Sequence, residues 1–305
     1  MPIIHQQISA LRADLQLYRG SKSDHPSDKS EGRHRIALVP TMGNLHDGHL
    51  ELVRIAKQQA DIVVVSIFVN PTQFGEGEDL DSYPRTLDKD VEKLATVGAD
   101  YVFAPSTEEM YPVLPPPTAV IAGAIADQLC GRSRPGHFDG MGIVVSKLFN
   151  IVQPDVAVFG QKDYQQLAII KQLVRDLSYP IEIIEAPIIR AEDGLALSSR
   201  NQYLSKAERQ IAPVLHQELQ RLAQQLQSSQ LHSQQVAALD VLLTDTHKRI
   251  TEAGFVIDYL EVKTEQLTPV VTTENFNKEK PNLIVLVAAQ LGRARLLDNQ
   301  LVTVS

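Results

Sequence analysis

The segment Pro40-Thr41-Met42-Gly43-Asn44-Leu45-His46-Asp47-Gly48-His49 brings two histidines and an aspartate together with two glycines. His46 and His49 stand three apart, a spacing that places two side chains on one helix face. If Gly48 and His49 open a helix, both imidazoles gather at its amino end, where exposed N–H groups and the helix dipole favour phosphate. Zinc is the competing reading. It takes three or four ligands, whereas this segment offers two histidines, Asp47 and no cysteine, so no fixed protein metal site is expected. A structural role for the pair is the third possibility. The segment has neither the P-loop spacing nor the Gly-x-Gly-x-x-Gly fingerprint of dinucleotide sites.

Two later segments carry compatible chemistry. In Gly160-Gln161-Lys162-Asp163 the glycine permits close backbone approach and Lys162 is a compact cation for phosphate oxygens, although an ordinary turn with an exposed lysine has the same composition. Leu197-Ser198-Ser199-Arg200 offers two hydroxyls and a guanidinium suited to bridging phosphate oxygens, or else a helix cap with a surface arginine. Arg132 and Arg134, between Gly131 and Gly136, read as a basic lid, and Gln73 and Gln166 as groups able to hold a small polar substrate.

These residues need elements to position them. Ile36-Ala37-Leu38-Val39 and the β-branched run Ile62 to Val69 read as buried strands of a parallel sheet. Helices are expected over residues 8–18, after the histidine segment, and over 87–97 and 164–177, and a helix end or apolar core helix over 144–151. Short strands are expected at 100–103, 156–159 and 181–184. Alternating strands and helices predict an α/β fold, a Rossmann-like parallel-sheet domain over residues 1–188, with ligands beyond the carboxyl ends of the strands. The texture changes near Pro187. Residues 189–305 read as a smaller α+β carboxyl-terminal lid domain, with helices over 206–228 and 233–253 and strands over 256–262 and 283–289. The polar stretch 21–35 reads as a mobile surface loop.

Composition narrows the class. With 305 residues, 43% hydrophobic and 22% charged, the chain suits folded domains rather than disorder. A net charge of -8 argues against nucleic acid as a partner, and no apolar run is long enough for a membrane helix. Cys130 is the single cysteine, which rules out an intrachain disulfide and, with the absence of a signal-like amino terminus, points to the cytoplasm.

Taken together the motifs resemble the pantoate-beta-alanine ligase family, within the nucleotidyltransferases that carry His-x-Gly-His signatures. The resemblance runs through PTMGNLHDGH at 40–49, VSIFVNPTQF at 65–74, YPRT at 83–86, RPGHF at 134–138, FGQKDYQQL at 159–167, DGLALSSRN at 193–201 and GRARLLDN at 292–299. It implies condensation of (R)-pantoate with beta-alanine at the expense of ATP, with Mg²⁺ accompanying the nucleotide and pantoyl adenylate as intermediate. By the same resemblance His46, His49, Lys162 and Arg200 are catalytic, and Met42 through His49, Gly160 through Asp163, Ile189 and Leu197 through Arg200 bind ATP. Gln73 and Gln166 bind pantoate, supported by Asn70, Tyr83 and Arg134. A homodimer is also implied. Gln161 stands where the family usually has Glu, and Cys130 where an acidic residue is common. Asp90 is a possible acidic neighbour of the metal–nucleotide complex. Two other functions remain open at this point: nucleotidyl transfer to a phosphorylated metabolite, and nucleotide binding without catalysis.

Overall fold

The computed structural model describes residues 1–19, 34–228, 236–270 and 282–303, so residues 21–33 of the polar stretch lie outside the described residues. The chain divides into two compact units, one comprising 1–161 and 169–187, the other 162–168 and 188–305.

The first unit is built on a parallel sheet of six strands: β1 (Ile3–His5), β2 (Ile36–Thr41), β3 (Ile62–Ile67), β4 (Tyr101–Phe103), β5 (Val156–Gly160) and β6 (Glu182–Ala186). Their spatial order is β1-β4-β3-β2-β5-β6. Helices α1 (Ile8–Arg19), α2 (Asp47–Gln59), α3 (Leu87–Thr96), α4 (Thr107–Met110), α5 (Cys130–Ser133), α6 (His137–Val152) and α7 (Tyr164–Asp176) separate them. The inner strands are buried on both faces, which explains why β2 and β3 read as unbroken apolar runs. Val39, Val63, Val65, Val102 and Val158 meet Leu50, Val53 and Ala56 of α2 and Leu94 of α3 in one core. The sheet order reverses between β2 and β5, which pair directly through Ala37–Val156 and Leu38–Ala157. A ligand crevice forms where the loops leave such a switch point. Here those loops begin at Met42 and Gln161.

Three features were not read from the sequence. Ile3–His5 forms a strand beside β4, too short to leave a periodic signature. α6 begins at His137, and the helix end or core helix expected over 144–151 is its carboxyl-terminal half. Its cap is Gly136 in the left-handed conformation, with no capping side chain to mark the start. The stretch 206–228 is interrupted: Pro213 separates α8 (Lys206–Ile211) from α9 (Val214–Ser228), because proline has no N–H for the helix ladder.

The second unit has an antiparallel sheet in the order β7 (Val256–Thr264), β8 (Leu283–Leu291), β9 (Ala294–Val302). α9 packs Leu215, Leu219, Leu222 and Leu226 on it, against Val285, Val287 and Ala289, and α10 (Val236–Glu252) contributes Ile250. Residues 162–168, expected with the first domain, belong to this unit. The Asn299 side-chain amide donates to the Lys162 carbonyl at 3.0 Å, and the Tyr164 hydroxyl to the Glu265 carbonyl at 3.1 Å.

Candidate active site

At the end of β2 the chain must turn sharply into α2. Gly43 and Asn44 both take positive φ, 82° and 50°. A Cβ on Gly43 would also sit 3.0 Å from Ile67 Cγ2, so glycine is required twice over. The turn is held by a carboxylate. Asp90 of α3 is fully buried, and its two oxygens accept from the Asn44 amide (2.9 Å), the Leu45 amide (2.8 Å) and the Thr86 hydroxyl (3.0 Å). Lys93, one turn along α3, donates to the Leu45 carbonyl at 2.6 Å. Leu45 itself is buried in the core below.

His46 is the N-cap of α2. Its Nδ1 accepts from the Gly48 amide at 3.1 Å, and Nδ1 of His49 accepts from the His46 amide at 3.3 Å, forming a reciprocal capping box. The rings lie 4.0 Å apart, centroid to centroid. Because both Nδ1 atoms receive a hydrogen, the neutral rings carry their own proton on Nε2. The expectation of bare helix amides is therefore modified: the Gly48 and His49 amides are used by the turn, the latter donating to the His46 carbonyl at 2.8 Å. Each neutral ring thus carries one N–H donor of its own.

A second polar cluster lies at residues 70–73. Asn70 donates through Nδ2 to Gln73 Oε1 and to the Gly140 carbonyl, each at 3.0 Å, and its Oδ1 accepts from the Tyr111 hydroxyl at 2.9 Å and the Thr72 hydroxyl at 3.0 Å. Gln73 Nε2 lies 3.4 Å from the Met42 sulfur, so the glutamine stands directly beside the histidine loop. Burial pushes the Tyr111 phenol above its ordinary value, against a smaller opposing effect of the Thr72 hydroxyl, and keeps it a neutral donor. This cluster exists because α6 approaches very closely: a Cβ on Gly140 would fall 2.0 Å from the Thr72 carbonyl oxygen. Tyr83 is buried and stacks edge-on against Phe74.

Arg134 was expected to meet substrate, but its guanidinium is engaged with the protein. Nε and Nη2 each reach Glu78 at 2.6 Å, and Nη1 lies 3.0 Å from His137 Nε2. His137 Nδ1 in turn sits 2.7 Å from the Gln73 carbonyl, so its Nδ1–H donates there and its Nε2 accepts from the arginine. Arg134 thus braces the backbone of Gln73 through His137. Hydrogen bonding to Arg134 holds the Glu78 carboxyl below its ordinary value, burial opposing. Gly160 closes β5 and Gln161 opens a 3-10 turn after it.

The remaining expected residues lie in the second unit. Lys162 and Asp163 complete the 3-10 turn, 3.5 Å apart as a side-chain pair, and Gln166 follows in the first turn of α7. Ile189 and Leu197 face each other across a hairpin, Leu197 N donating to Ile189 O at 2.9 Å. Ser198 caps the 3-10 segment Ser199–Tyr203, its hydroxyl accepting from the Arg200 amide at 3.3 Å, so the capping reading of this serine describes its geometry. Thr72, Tyr111, Gly140 and His137 escaped sequence reasoning as site residues. Only the order of motifs, with RPGHF at 134–138, gave any signal for the last.

A family model described as pantoate-beta-alanine ligase matches residues 4–301. The chain belongs to the pantoate-beta-alanine ligase family. It is 71% identical over 305 residues to a pantothenate synthetase of Psychrobacter arcticus, covering 100% of this chain and 99% of that one. To the pantothenate synthetase of Acinetobacter baylyi it is 60% identical over 264 residues, 87% of this chain and 89% of the other. Its fold is similar to the crystal structure of the Thermus thermophilus pantothenate synthetase, with a TM-score of 0.80, 38% identity and 98% of each chain covered. It is also similar to a pantoate-beta-alanine ligase from Francisella tularensis that was crystallised with a β,γ-ATP compound and beta-alanine (TM-score 0.75, 33% identity, 99% and 98% covered). The ligase is therefore an ATP-dependent enzyme joining a carboxylate to an amine. No helix among the described residues is long and apolar enough to cross a membrane.

Proposed function

We propose that this chain makes (R)-pantothenate, AMP and diphosphate from (R)-pantoate, beta-alanine and ATP in two half-reactions at the residues named above. A pantoate carboxylate oxygen bonds to the α-phosphorus as the bond to the β-bridging oxygen breaks and diphosphate leaves. The beta-alanine nitrogen then bonds to the activated carbonyl carbon, the carbon–oxygen bond to AMP breaks, and the amine gives up a proton. No protein nucleophile is needed, because the mixed anhydride has AMP as a good leaving group. The protein's part is positioning and stabilisation of charge.

His46 and His49 donate Nε2–H hydrogen bonds to phosphate oxygens, and His49 donates a hydrogen bond or proton as diphosphate leaves. What carries this reading is the capping box, since it fixes the tautomer that makes both rings donors. Met42 through Gly48, Gly160, Gln161, Asp163, Ile189, Leu197, Ser198 and Ser199 supply the rest of the nucleotide contacts. Lys162 and Arg200 neutralise charge on the leaving diphosphate. Gln73 and Gln166 read the pantoate oxygens, with Asn70 orienting Gln73, Tyr83 walling the pocket and Arg134 acting through the backbone of Gln73.

When bound with ATP, Mg²⁺ would supply charge neutralisation on the triphosphate. Among the described residues no group of three or more His, Cys, Asp or Glu could hold a metal ion, and Asp90 is committed to the histidine loop. An ion accompanying ATP would be carried on phosphate oxygens and water, as Mg²⁺ prefers. Family resemblance supports a homodimer in the cytoplasm, with neither nucleic acid nor membrane as a partner.

The deciding assay follows AMP and pantothenate with the complete mixture and with each substrate left out. Formation only when pantoate, beta-alanine and ATP are all present is the expected result. Absence of both products from the complete mixture would overturn the reading.

A further inference from the structure

The GRARLLDN motif at 292–299 is the one conspicuous motif to which the reaction assigns no task, and it ends on a pair of buried polar residues. Asp298 and Asn299 lie on β9, opposite Val287 and Leu286 of β8, and each is only 5% exposed. Neighbouring residues on a strand point to opposite faces, so this pair can serve two loops at once.

Asp298 holds the hairpin that carries Ile189 and leads to Ser198–Arg200. Arg190 Nη1 and Nη2 grip its two oxygens at 2.7 and 2.8 Å, a bidentate ion pair, and Nη1 also donates to the Gly194 carbonyl at 3.1 Å across the hairpin tip. The hairpin backbone is closed by Ala191 N to Leu195 O at 2.9 Å and Leu197 N to Ile189 O at 2.9 Å. Asn299 holds the other segment. Its side-chain amide donates to the Lys162 carbonyl at 3.0 Å, while its backbone N–H donates to Asp298 Oδ1 at 2.7 Å. One strand therefore fixes the peptide plane after Lys162 and, through Arg190, the segment that ends in Arg200.

We propose that Asp298 and Asn299 are positioning residues for adenylate formation, Asn299 acting through Lys162 and Asp298 through the 189–200 hairpin. The proposal rests on the reading that Lys162 meets ATP phosphates. A hydrogen bond to a residue's own carbonyl fixes the peptide plane next to its Cα and so where its side chain starts, and small misplacement of a charge-stabilising group lowers rate steeply. The step affected is the first, because diphosphate leaves there.

The test measures Asn299→Ala in both half-reactions: diphosphate release from ATP and pantoate, and aminolysis of supplied pantoyl adenylate by beta-alanine. The expected result is about a 10-fold fall in kcat for the first with the second unchanged. In a Lys162→Ala background the further loss on replacing Asn299 should vanish. Equal slowing of both half-reactions, or a full loss from Asn299→Ala in that background, overturns the proposal, since either means a merely structural role. Parent-like diphosphate release by Asn299→Ala overturns it as well. If Lys162→Ala itself releases diphosphate at the parent rate, the Lys162 reading fails first and separately. Should Asn299→Ala melt far below the parent, Asn299→Asp takes its place in the same assays, since it keeps the volume and removes the donor; a selective fall in diphosphate release supports the proposal, and equal slowing or parent-like release overturns it.

Discussion

Replacing Asp90 by Asn removes a charge and one acceptor while keeping the shape, and the turn before α2 should register it. The carboxylate serves the Asn44 and Leu45 amides from separate oxygens. An asparagine offers one oxygen, so its NH₂ must face the other amide, donor against donor. The Thr86 hydroxyl can reverse and accept, but an amide cannot. One buried N–H left without a partner costs roughly 1–3 kcal/mol. The turn already holds two residues at positive φ, so relaxation is cheapest there, and Met42 through His49 should shift. At about 1.4 kcal/mol per decade, a mid-range loss of ~2 kcal/mol in transition-state stabilisation lowers kcat/KM for ATP roughly 30-fold. Diphosphate release in single turnover reads this directly, while aminolysis of supplied adenylate should change far less. Thr86→Val is the control: it removes the third donor but leaves both amides served, for a loss of under about fivefold. An Asp90→Asn enzyme with kcat/KM for ATP within about twofold of the parent, yet a lowered melting temperature, would refute the reasoning, because Asp90 would then support the fold and not the loop.

Three further outcomes are expected. Gly140→Ala sets a methyl 2.0 Å from the Thr72 carbonyl oxygen and 2.7 Å from the Gln73 amide, so α6 and the 70–73 segment must part. Denaturant unfolding should show a loss of about 3 kcal/mol and the KM for pantoate should rise, whereas parent-like values for both would contradict the close approach. His216 is held below its ordinary value of 6.5 by burial and by Arg190, with Asp298 opposing more weakly. A depressed value in the folded state means that its contribution is complete above pH 6.5 and is lost as pH falls below it. Melting curves of His216→Gln should therefore lose less stability on mild acidification than the parent, and parallel curves would sink the idea. Glu78, also held low, contributes above its ordinary value of 4.5 and loses that contribution as pH falls further. Glu78→Gln should remove this acid sensitivity and raise the KM for pantoate, through loss of the brace on Gln73, which steady-state kinetics would check.

Much of the first unit was legible because its inner strands are covered on both faces and so read as largely apolar runs. The start of α2 was legible for a related reason, a histidine pair at helix spacing directly after a strand. Legibility failed where a device leaves no pattern. Ile3–His5 spans only 3 residues, too few to show an alternating pattern, and α6 starts on a left-handed glycine without a capping side chain. β9 did not read as a strand because Asp298 and Asn299, both buried, break its alternation. Asp90 was read as an acidic neighbour of the metal–nucleotide complex, since an aspartate in the first turn of a helix is commonplace and only tertiary contact reveals the two amides it serves. Arg134 looked available because a sequence prints no partners, and Glu78 lies 56 residues away.

The double use of His46 and His49 changes how mutagenesis of this protein has to be read. The same two rings proposed to meet phosphate also terminate a helix, so deleting either one would perturb the proposed chemistry and the start of α2 together. An alanine at position 46 would mix loss of the proposed phosphate donor with loss of a cap, which is by itself worth about 1 kcal/mol. Asparagine is the more informative replacement there. It is among the best N-caps and can accept from the Gly48 amide, so whatever activity His46→Asn loses can be charged to the imidazole alone.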